Sequence, residues 1–241
     1  MEKRYLQLYS IKDETAKDFL SAIKRIAQIG YTGVEFAGNY GNMSAAELKK
    51  VLADLNLEPL SAHIVSANVA ENLDFCAELG LKYIIDPWAE MNCDACATAF
   101  VNTLNETGKL CKERGITFGY HNHAHEFAEG KDGTLMDTLL LGTDPDLVCF
   151  QLDVGWVTNA GHDPVAFINK YPGRFKMIHV KEFDKAKGWD VATGKGSVDW
   201  PAVKAAALAQ GAEGFVVERE HDYAGDIFKC VEEDCAYLKN L

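Results

Sequence analysis

Residues 148–180 read VCFQLDVGWVTNAGHDPVAFINKYPGRFKMIHV, and this stretch contains one complete strand–helix–strand unit. Short apolar runs typical of strands, at 148–154 and 175–180, flank a segment at 165–169 that has helical spacing. Two strands joined by such a helix lie parallel, because the helix returns the chain to the same end of the sheet. The stretch therefore predicts a parallel sheet with helices packed against it.

The same alternation extends in both directions along the 241 residues. The other predicted strands are 4–11, 33–36, 59–65, 83–86, 116–123 and 215–218, and the other predicted helices are 15–29, a helix opened by Ser44, 71–79, 95–113, 135–140, 198–209 and 226–238. Eight units of about 30 residues predict a closed (β/α)₈ TIM barrel, a single α/β domain over residues 1–241. An open doubly wound sheet fits less well, because Tyr9, Ser10 and Ile11 stand where its glycine-rich fingerprint would follow the first strand.

Composition narrows the classes of partner. Thirty-six acidic residues against 24 Lys and Arg give a formal charge of −12, which disfavours nucleic acid, and the chain has no long apolar run to enter a membrane. Seven irregularly spaced cysteines predict reduced thiols and a cytoplasmic protein. We accordingly expect Cys93 and Cys96 to be two free thiols on one helix, and we leave a homo-oligomer open.

Polar side chains mark the ends of the predicted strands, where the active site of a barrel lies. They are Glu35, His63, His121, His123, Asp153, His179 and Glu218. Asp153, His179 and Glu218 end three successive strands and should converge at the barrel mouth. Imidazole and carboxylate groups together predict one divalent metal ion, Mn²⁺, Mg²⁺, Co²⁺ or Zn²⁺.

Five motifs carry a resemblance to a known family: YHNHAHEF, QLDVGWVTNAGHDP, RFKMIHVKEFD, GKGSVDW and FVVERE. Together they resemble the sugar phosphate isomerase/epimerase family of xylose-isomerase-like barrels, in the branch of inosose and keto-sugar enzymes. The resemblance implies metal ligation by Asp153, His179 and Glu218, with a glutamate on strand five. Strand five lacks that glutamate here, so His121 is the expected fourth ligand and His123 and Glu126 remain alternatives.

The resemblance implies a metal-dependent sugar or keto-sugar isomerase or epimerase, which removes a proton next to a metal-polarised carbonyl. A histidine on strand five leaves open a lyase or dehydratase of inosose or 3-keto-sugar type, and a non-catalytic sugar-binding barrel is a third reading. The expected catalytic residues are His121, His123, Glu218 and Lys181, and the expected substrate-binding residues are His63, Glu35, Trp88, Glu126 and Trp156. Arg219, Glu220 and His221 follow the last strand and are further candidates for substrate contact.

One position argues against a nuclease. DNA-repair barrels of this superfamily carry a metal-binding histidine three residues after the strand-six aspartate, and Trp156 occupies that place here. The expected partner is therefore a small-molecule sugar or keto-sugar, not nucleic acid or a membrane.

Overall fold

Eight parallel strands close into a barrel in the computed structural model, which describes residues 3–220 and 225–241, with residues 189 and 190 described by their backbone alone. The barrel strands are β1 (Tyr5–Gln7), β2 (Gly33–Phe36), β3 (Glu58–His63), β4 (Tyr83–Asp86), β5 (Thr117–His121), β6 (Val148–Asp153), β7 (Phe175–Val180) and β8 (Gly214–Val217). Each strand pairs with its sequence neighbours, and β8 pairs with β1. The predicted (β/α)₈ barrel is confirmed.

Helices connect the strands on the outside. They are α1 (Lys12–Lys17), α2 (Phe19–Ile29), α3 (Ala45–Asp54), α4 (Val69–Leu79), α5 (Asp94–Glu113), α6 (Leu135–Gly142), α7 (Val154–Asn159), α8 (Pro164–Lys170), α9 (Trp200–Ala209) and α10 (Ile227–Asn240). Short 3₁₀ turns lie at Leu8–Ile11, Ser66–Asn68 and His125–Phe127. Two small hairpins pair Glu129–Gly130 with Gly133–Thr134 and Glu182–Asp184 with Trp189–Val191. No helix of the described part of the chain is long and apolar enough to cross a bilayer.

The first unit differs from its prediction. Strand β1 ends at Gln7 instead of residue 11, because the Gln7 side chain accepts a hydrogen bond from Tyr9 N (3.1 Å) and opens a 3₁₀ turn. The helix expected at 15–29 is divided at Asp18, whose extended backbone ends α1 and whose carboxylate caps α2 at Ser21 N (3.0 Å). Local side-chain caps thus replace one strand and one helix by shorter elements.

Two separate apolar regions hold the barrel together. The larger one fills the space between the sheet and the helices. The smaller one consists of inward-facing side chains in the barrel interior, namely Tyr5, Leu60, Tyr83, Ile85, Cys149, Met177 and Val216. A register shift on β3, where Val34 pairs with Pro59 and Glu35 with Ser61, lets Leu60 join this interior cluster while Ser61 bonds to Glu35. The polar groups of the site therefore rest on a packed apolar floor.

Cys93 and Cys96 are joined in a disulfide, with their Cα atoms 5.2 Å apart. The expectation of two free thiols is therefore wrong. Cys93 stands at the N-cap of α5 with an extended backbone, and this brings its sulfur back toward the first helical turn, where Cys96 lies.

Candidate metal centre and its cavity

Four side chains from four consecutive barrel strands converge at the mouth. They are His121 of β5, Asp153 of β6, His179 of β7 and Glu218, which directly follows β8. One ligand atom from each lies within 4.8 Å of the ligand atoms of the others, and all four residues are buried. His179 Nδ1 is 3.3 Å from Glu218 Oε2, and Asp153 Oδ2 is 3.9 Å from both His121 Nε2 and His179 Nδ1. Spacings of this size suit donors that surround one ion at about 2.0–2.2 Å.

The carboxylate of Asp153 has one oxygen with a protein partner and one without. Oδ1 accepts the Trp156 N–H (2.9 Å) at the start of α7, whereas the buried Oδ2 accepts no hydrogen bond. Burial raises the pKa of Asp153 to about 7, against the opposing charges of Lys181 and His179. A buried carboxylate oxygen without a donor is costly unless a cation faces it, so the chemistry of this donor set fits a divalent metal.

Glu35, expected to bind substrate, lies instead among protein donors below the four ligands. Its side chain is fully buried. Oε1 lies 2.6 Å from His179 Nε2, 3.1 Å from His63 Nε2 and 2.7 Å from the Gln7 amide, while Oε2 accepts from Ser61 Oγ (2.6 Å) and Gln151 Nε2 (2.7 Å). His63 Nε2 also lies 2.8 Å from Gln151 Oε1, but the four other donors already leave the carboxylate no free position for a substrate hydroxyl. Its place is that of a support for His179.

The negative charge of Glu35 and the positive charge of His179 stabilise each other. Although burial disfavours the anion, the rings of His63 and His179 hold the pKa of Glu35 well below its usual range. Burial likewise opposes protonation of His179, but Glu35 and Glu218 raise its pKa to about 10. Carboxylate–histidine pairs of this kind fix the orientation and tautomer of a metal-binding imidazole.

Glu126, expected to contact substrate or metal, also points away from the cavity. Its fully buried carboxylate accepts from Tyr120 Oη (2.5 Å) and from the backbone N–H of His123 (2.8 Å). Glu126 therefore fixes the backbone that carries His123. The His123 ring lines the cavity, its Nδ1 has no hydrogen-bond partner among the described residues, and burial together with the charge of Lys181 lowers its pKa to about 3.

Lys181 lies one strand position beyond Val180 and reaches three carboxylates. Its Nζ is 3.0 Å from Glu218 Oε2, 3.1 Å from Glu220 Oε2 and 3.6 Å from Asp153 Oδ2. Burial opposes the ammonium charge, but these carboxylates raise the pKa of Lys181 above its usual value. The same ammonium lies 5.0 Å from the centre of the Trp156 ring, so Trp156 packs on Lys181 and is absent from the cavity lining. His221 lies outside the described residues.

A cavity of about 590 Å³ opens above the centre. Its lining includes His63, His121, His123 and Glu218, and also three aromatic side chains, those of Tyr9, Tyr40 and Trp88. Trp88 is 52% exposed and packs its ring against His123, with the ring centres 4.9 Å apart. Trp88 and His63 are thus where a substrate-binding role requires them to be, and that role stays a prediction.

Sequence reasoning missed three groups in and around this centre. Gln151 lies on β6 two residues before Asp153. Its side chain contacts His63, His121 and Glu35. Its inward position, two residues before Asp153, was a readable signal. Tyr9 lies in the 3₁₀ turn after β1, within the stretch predicted as a strand, and Tyr40 lies in the loop after β2, so strand periodicity did not indicate that they line the cavity.

Comparison with known proteins supports the assignment of the fold. The sequence profile of the xylose isomerase-like TIM barrel matches residues 23–241. The chain belongs to the xylose isomerase-like TIM barrel family. A crystal structure of a sugar phosphate isomerase/epimerase from Parabacteroides distasonis superposes with a TM-score of 0.86 at 29% identity, covering 99% of this chain and 94% of that one.

Two further proteins are similar to this chain, one in sequence and one in fold. An inosose dehydratase from Clostridium beijerinckii is 27% identical over 191 residues, which is 68% of this chain and 63% of that protein, so the chain spans less than two thirds of this relative. The IOLI protein, whose crystal structure holds a zinc atom, is 14% identical with a TM-score of 0.80 over 99% of this chain and 97% of that one, a likeness that shows the fold alone. In this family barrel, β5 ends in a histidine where the resemblance implied a glutamate.

Proposed function

We propose that this chain is a divalent-metal-dependent isomerase or epimerase of an uncharged sugar or keto-sugar, which removes a proton from the carbon next to a carbonyl. The observation that carries the proposal is the buried Asp153 Oδ2, which accepts no hydrogen bond and faces two imidazoles at 3.9 Å. The Lys181 ammonium lies 3.6 Å from this oxygen but is shared with Glu218 and Glu220, so a further cation between the side chains would balance the remaining negative charge.

His121, Asp153, His179 and Glu218 would hold the ion. Two nitrogen and two oxygen donors suit Zn²⁺, Co²⁺ or Mn²⁺ better than Mg²⁺, which prefers oxygen and retains water. When bound, the ion supplies Lewis acidity that polarises a substrate carbonyl and makes the neighbouring C–H more acidic.

Two side chains, Lys181 and Glu218, are placed to move protons. The His123 ring lines the cavity and stays neutral because its pKa is about 3, and we assign it to hydrogen-bond a substrate hydroxyl. Lys181 holds its proton beside Glu218 and Glu220 and is the group we assign to stabilise or protonate a substrate oxygen. Glu218, which also lines the cavity, is the group we assign to accept the proton from substrate carbon and to return it.

The charge of the cavity supports an uncharged substrate. The described residues that line it include Glu218 and Glu220 and no lysine or arginine, and Lys181 beneath is already surrounded by three carboxylates. A phosphate ester would meet repulsion and no bidentate partner. The aromatic side chains of the lining, Tyr9, Tyr40 and Trp88, suit the C–H face of a sugar ring instead.

A second candidate is a dehydratase of an inosose or 3-keto-sugar. It is favoured by the relation to inosose dehydratase, and the Lys181 ammonium, held beside Glu220, is the group we assign to stabilise a departing hydroxyl group by charge. Both reactions begin with removal of the same kind of proton, and they differ in whether water leaves.

One experiment tests both candidates. The protein, loaded in turn with Zn²⁺, Co²⁺ and Mn²⁺, is incubated in D₂O with a panel of uncharged keto-sugars, inososes and their phosphorylated counterparts, with Asp153→Asn as the metal-binding control. Deuterium at the carbon next to the carbonyl in a product of unchanged composition identifies the isomerase or epimerase, and loss of one water identifies the dehydratase. Absence of exchange and of product across the panel, with metal bound, would overturn the proposal.

A further inference from the structure

A second chemically active group lies outside the barrel mouth, at the start of the longest helix. Cys93 is the N-cap of the 20-residue α5, and its Sγ accepts the backbone N–H of Cys96 (3.2 Å). The sulfurs of the two residues are paired. A Cys-x-x-Cys pair at this position therefore combines two sulfurs in reach of each other with the amide groups of a helix N-terminus.

The helix end favours the thiolate form of Cys93 once the pair is reduced. Backbone N–H groups and the helix dipole stabilise negative charge at an N-cap, and a thiolate is the nucleophile in disulfide exchange. The neighbouring acid does not take that place, because Asp94 Oδ1 accepts the backbone N–H of Lys131 (3.0 Å) in the adjoining hairpin. The backbone N–H groups in the first turn of α5 are therefore available to stabilise a negative charge on the Cys93 sulfur.

The two sulfurs differ in access. Cys93 is exposed and Cys96 is half-buried, with the Cys96 sulfur 3.3 Å from Asn92 Oδ1. An incoming reagent consequently meets Cys93 first, and Cys96 is placed to attack it from within the protein. This is the division of labour between an attacking and a resolving cysteine.

The remaining five cysteines are chemically distinct from this pair. Cys76, Cys111, Cys149, Cys230 and Cys235 are all buried. Burial raises the pKa of Cys76 to about 11 and the pKa of Cys111 and Cys149 to about 12, so these thiols stay protonated at neutral pH. Exposed thiol chemistry is therefore confined to Cys93 and Cys96.

We propose that Cys93 and Cys96 form a redox-active dithiol/disulfide site that exchanges with small disulfides of the glutathione type. In the oxidative direction Cys93, having lost its proton to solvent, attacks the small disulfide, forms a mixed disulfide and releases one thiolate. Cys96, deprotonated in turn, attacks the Cys93 sulfur, closes the intramolecular disulfide and releases the second thiolate. The pair loses two electrons and two protons, and the small disulfide becomes two thiols.

The test uses the intact, folded protein. Samples equilibrated with reduced and oxidised glutathione in varied ratio are quenched with an alkylating reagent, and the number of labelled thiols is read from intact mass and peptide mapping. We expect reversible conversion between a form labelled at Cys93 and Cys96 and an unlabelled disulfide form. In Cys96→Ser a mixed disulfide with glutathione should accumulate on Cys93, whereas Cys93→Ser should react at least about tenfold more slowly.

Cys230→Ala is the matched control, since its thiol is buried on another helix and the variant should behave as wild type. The proposal fails if Cys93 and Cys96 stay reduced at every glutathione ratio, or if Cys96→Ser captures no glutathione. It also fails if Cys93→Ser and Cys96→Ser react at equal rates, because the attacking role of Cys93 would then be lost.

Discussion

Replacing Glu35 by glutamine keeps the shape of the side chain and removes its charge, which isolates the support that it gives to His179. An amide has one oxygen where the carboxylate had two, so its NH₂ group must face either Ser61 and Gln151 or the trio His179, His63 and Gln7. The first choice costs less, because the Ser61 hydroxyl can turn and accept. Gln151 cannot adapt in this way, since its own oxygen already serves His63 (2.8 Å) and His121 (3.1 Å).

Two magnitudes follow from this geometry. The Gln151 amide is left facing another donor in a buried site, which costs about 1–3 kcal/mol of unfolding free energy. His179 Nε2 keeps a partner, but a neutral one in place of a carboxylate at 2.6 Å, and loss of such support to a metal-binding histidine lowers metal affinity about 10- to 100-fold. We therefore expect Glu35→Gln to fold, to lose a moderate amount of stability and to bind metal more weakly.

Isothermal titration of metal-free protein with Zn²⁺ or Co²⁺ measures the affinity, and denaturant unfolding measures the stability. Glu58→Gln is the matched control, because Glu58 stands at the opposite end of β3 and bonds to Lys3 and Tyr5. If Glu35→Gln bound metal within about twofold of wild type while Glu58→Gln did the same, Glu35 would be a structural residue and the reasoning from its hydrogen bonds would be refuted.

Four further variants test other parts of the site and the fold. Asp153→Asn should lower metal affinity at least about 100-fold in the same titration while the circular dichroism spectrum stays that of a folded barrel. Lys181→Met should bind metal but lower turnover about 10²- to 10⁴-fold, and Trp88→Ala should raise KM about tenfold with little change in kcat, both measured by steady-state kinetics on the keto-sugar that shows exchange. Asp137→Ala should lose about 1–2 kcal/mol of unfolding free energy at neutral pH, because its carboxylate caps α6 and accepts from Tyr171 Oη (2.5 Å). Although burial raises it, the pKa of Asp137 is held below its usual value by these bonds, so the contribution is present at neutral pH and the difference between Asp137→Ala and wild type should shrink as pH falls through that pKa.

The barrel fold and the convergence of three site residues could be predicted from the sequence, because both depend on strand periodicity and strand order. Apolar runs and helical spacing alternate eight times, and a barrel of that kind must bring the ends of β6, β7 and β8 together. Asp153, His179 and Glu218 could therefore be named as neighbours although 26 and 39 residues separate the members of each adjacent pair. In the structure, Asp153 pairs in register with His179, as convergence requires.

Contacts across the barrel interior were beyond the reach of that reasoning. Glu35 on β2 meets His179 on β7, which is not its strand neighbour, and the meeting depends on strand tilt and on the register shift beside Glu35. Neither the strand tilt nor the register shift can be predicted from a local sequence pattern. Glu126 was expected to face the cavity and points away from it for a similar reason. The 3₁₀ turn at His125–Phe127 directs its carboxylate back toward Tyr120.

The histidine at the end of β5 belongs with Gln151 as one arrangement. Glu35 is an anion that only accepts hydrogen bonds, so the Gln151 group 2.7 Å from it must be the NH₂, and the Gln151 oxygen must face His121 Nδ1 at 3.1 Å. His121 Nδ1 is then the donor, and its Nε2 carries the lone pair, 3.9 Å from Asp153 Oδ2. Burial and the nearby imidazoles keep the pKa of His121 well below its usual value, in agreement with a neutral ring.

A carboxylate at this strand end would need no such donor–acceptor chain, whereas a histidine ligand does. The chain Glu35–Gln151–His121 on one side and the pair Glu35–His179 on the other thus orient both imidazoles from a single buried carboxylate, which explains why this barrel can place a histidine where the family resemblance implied a glutamate.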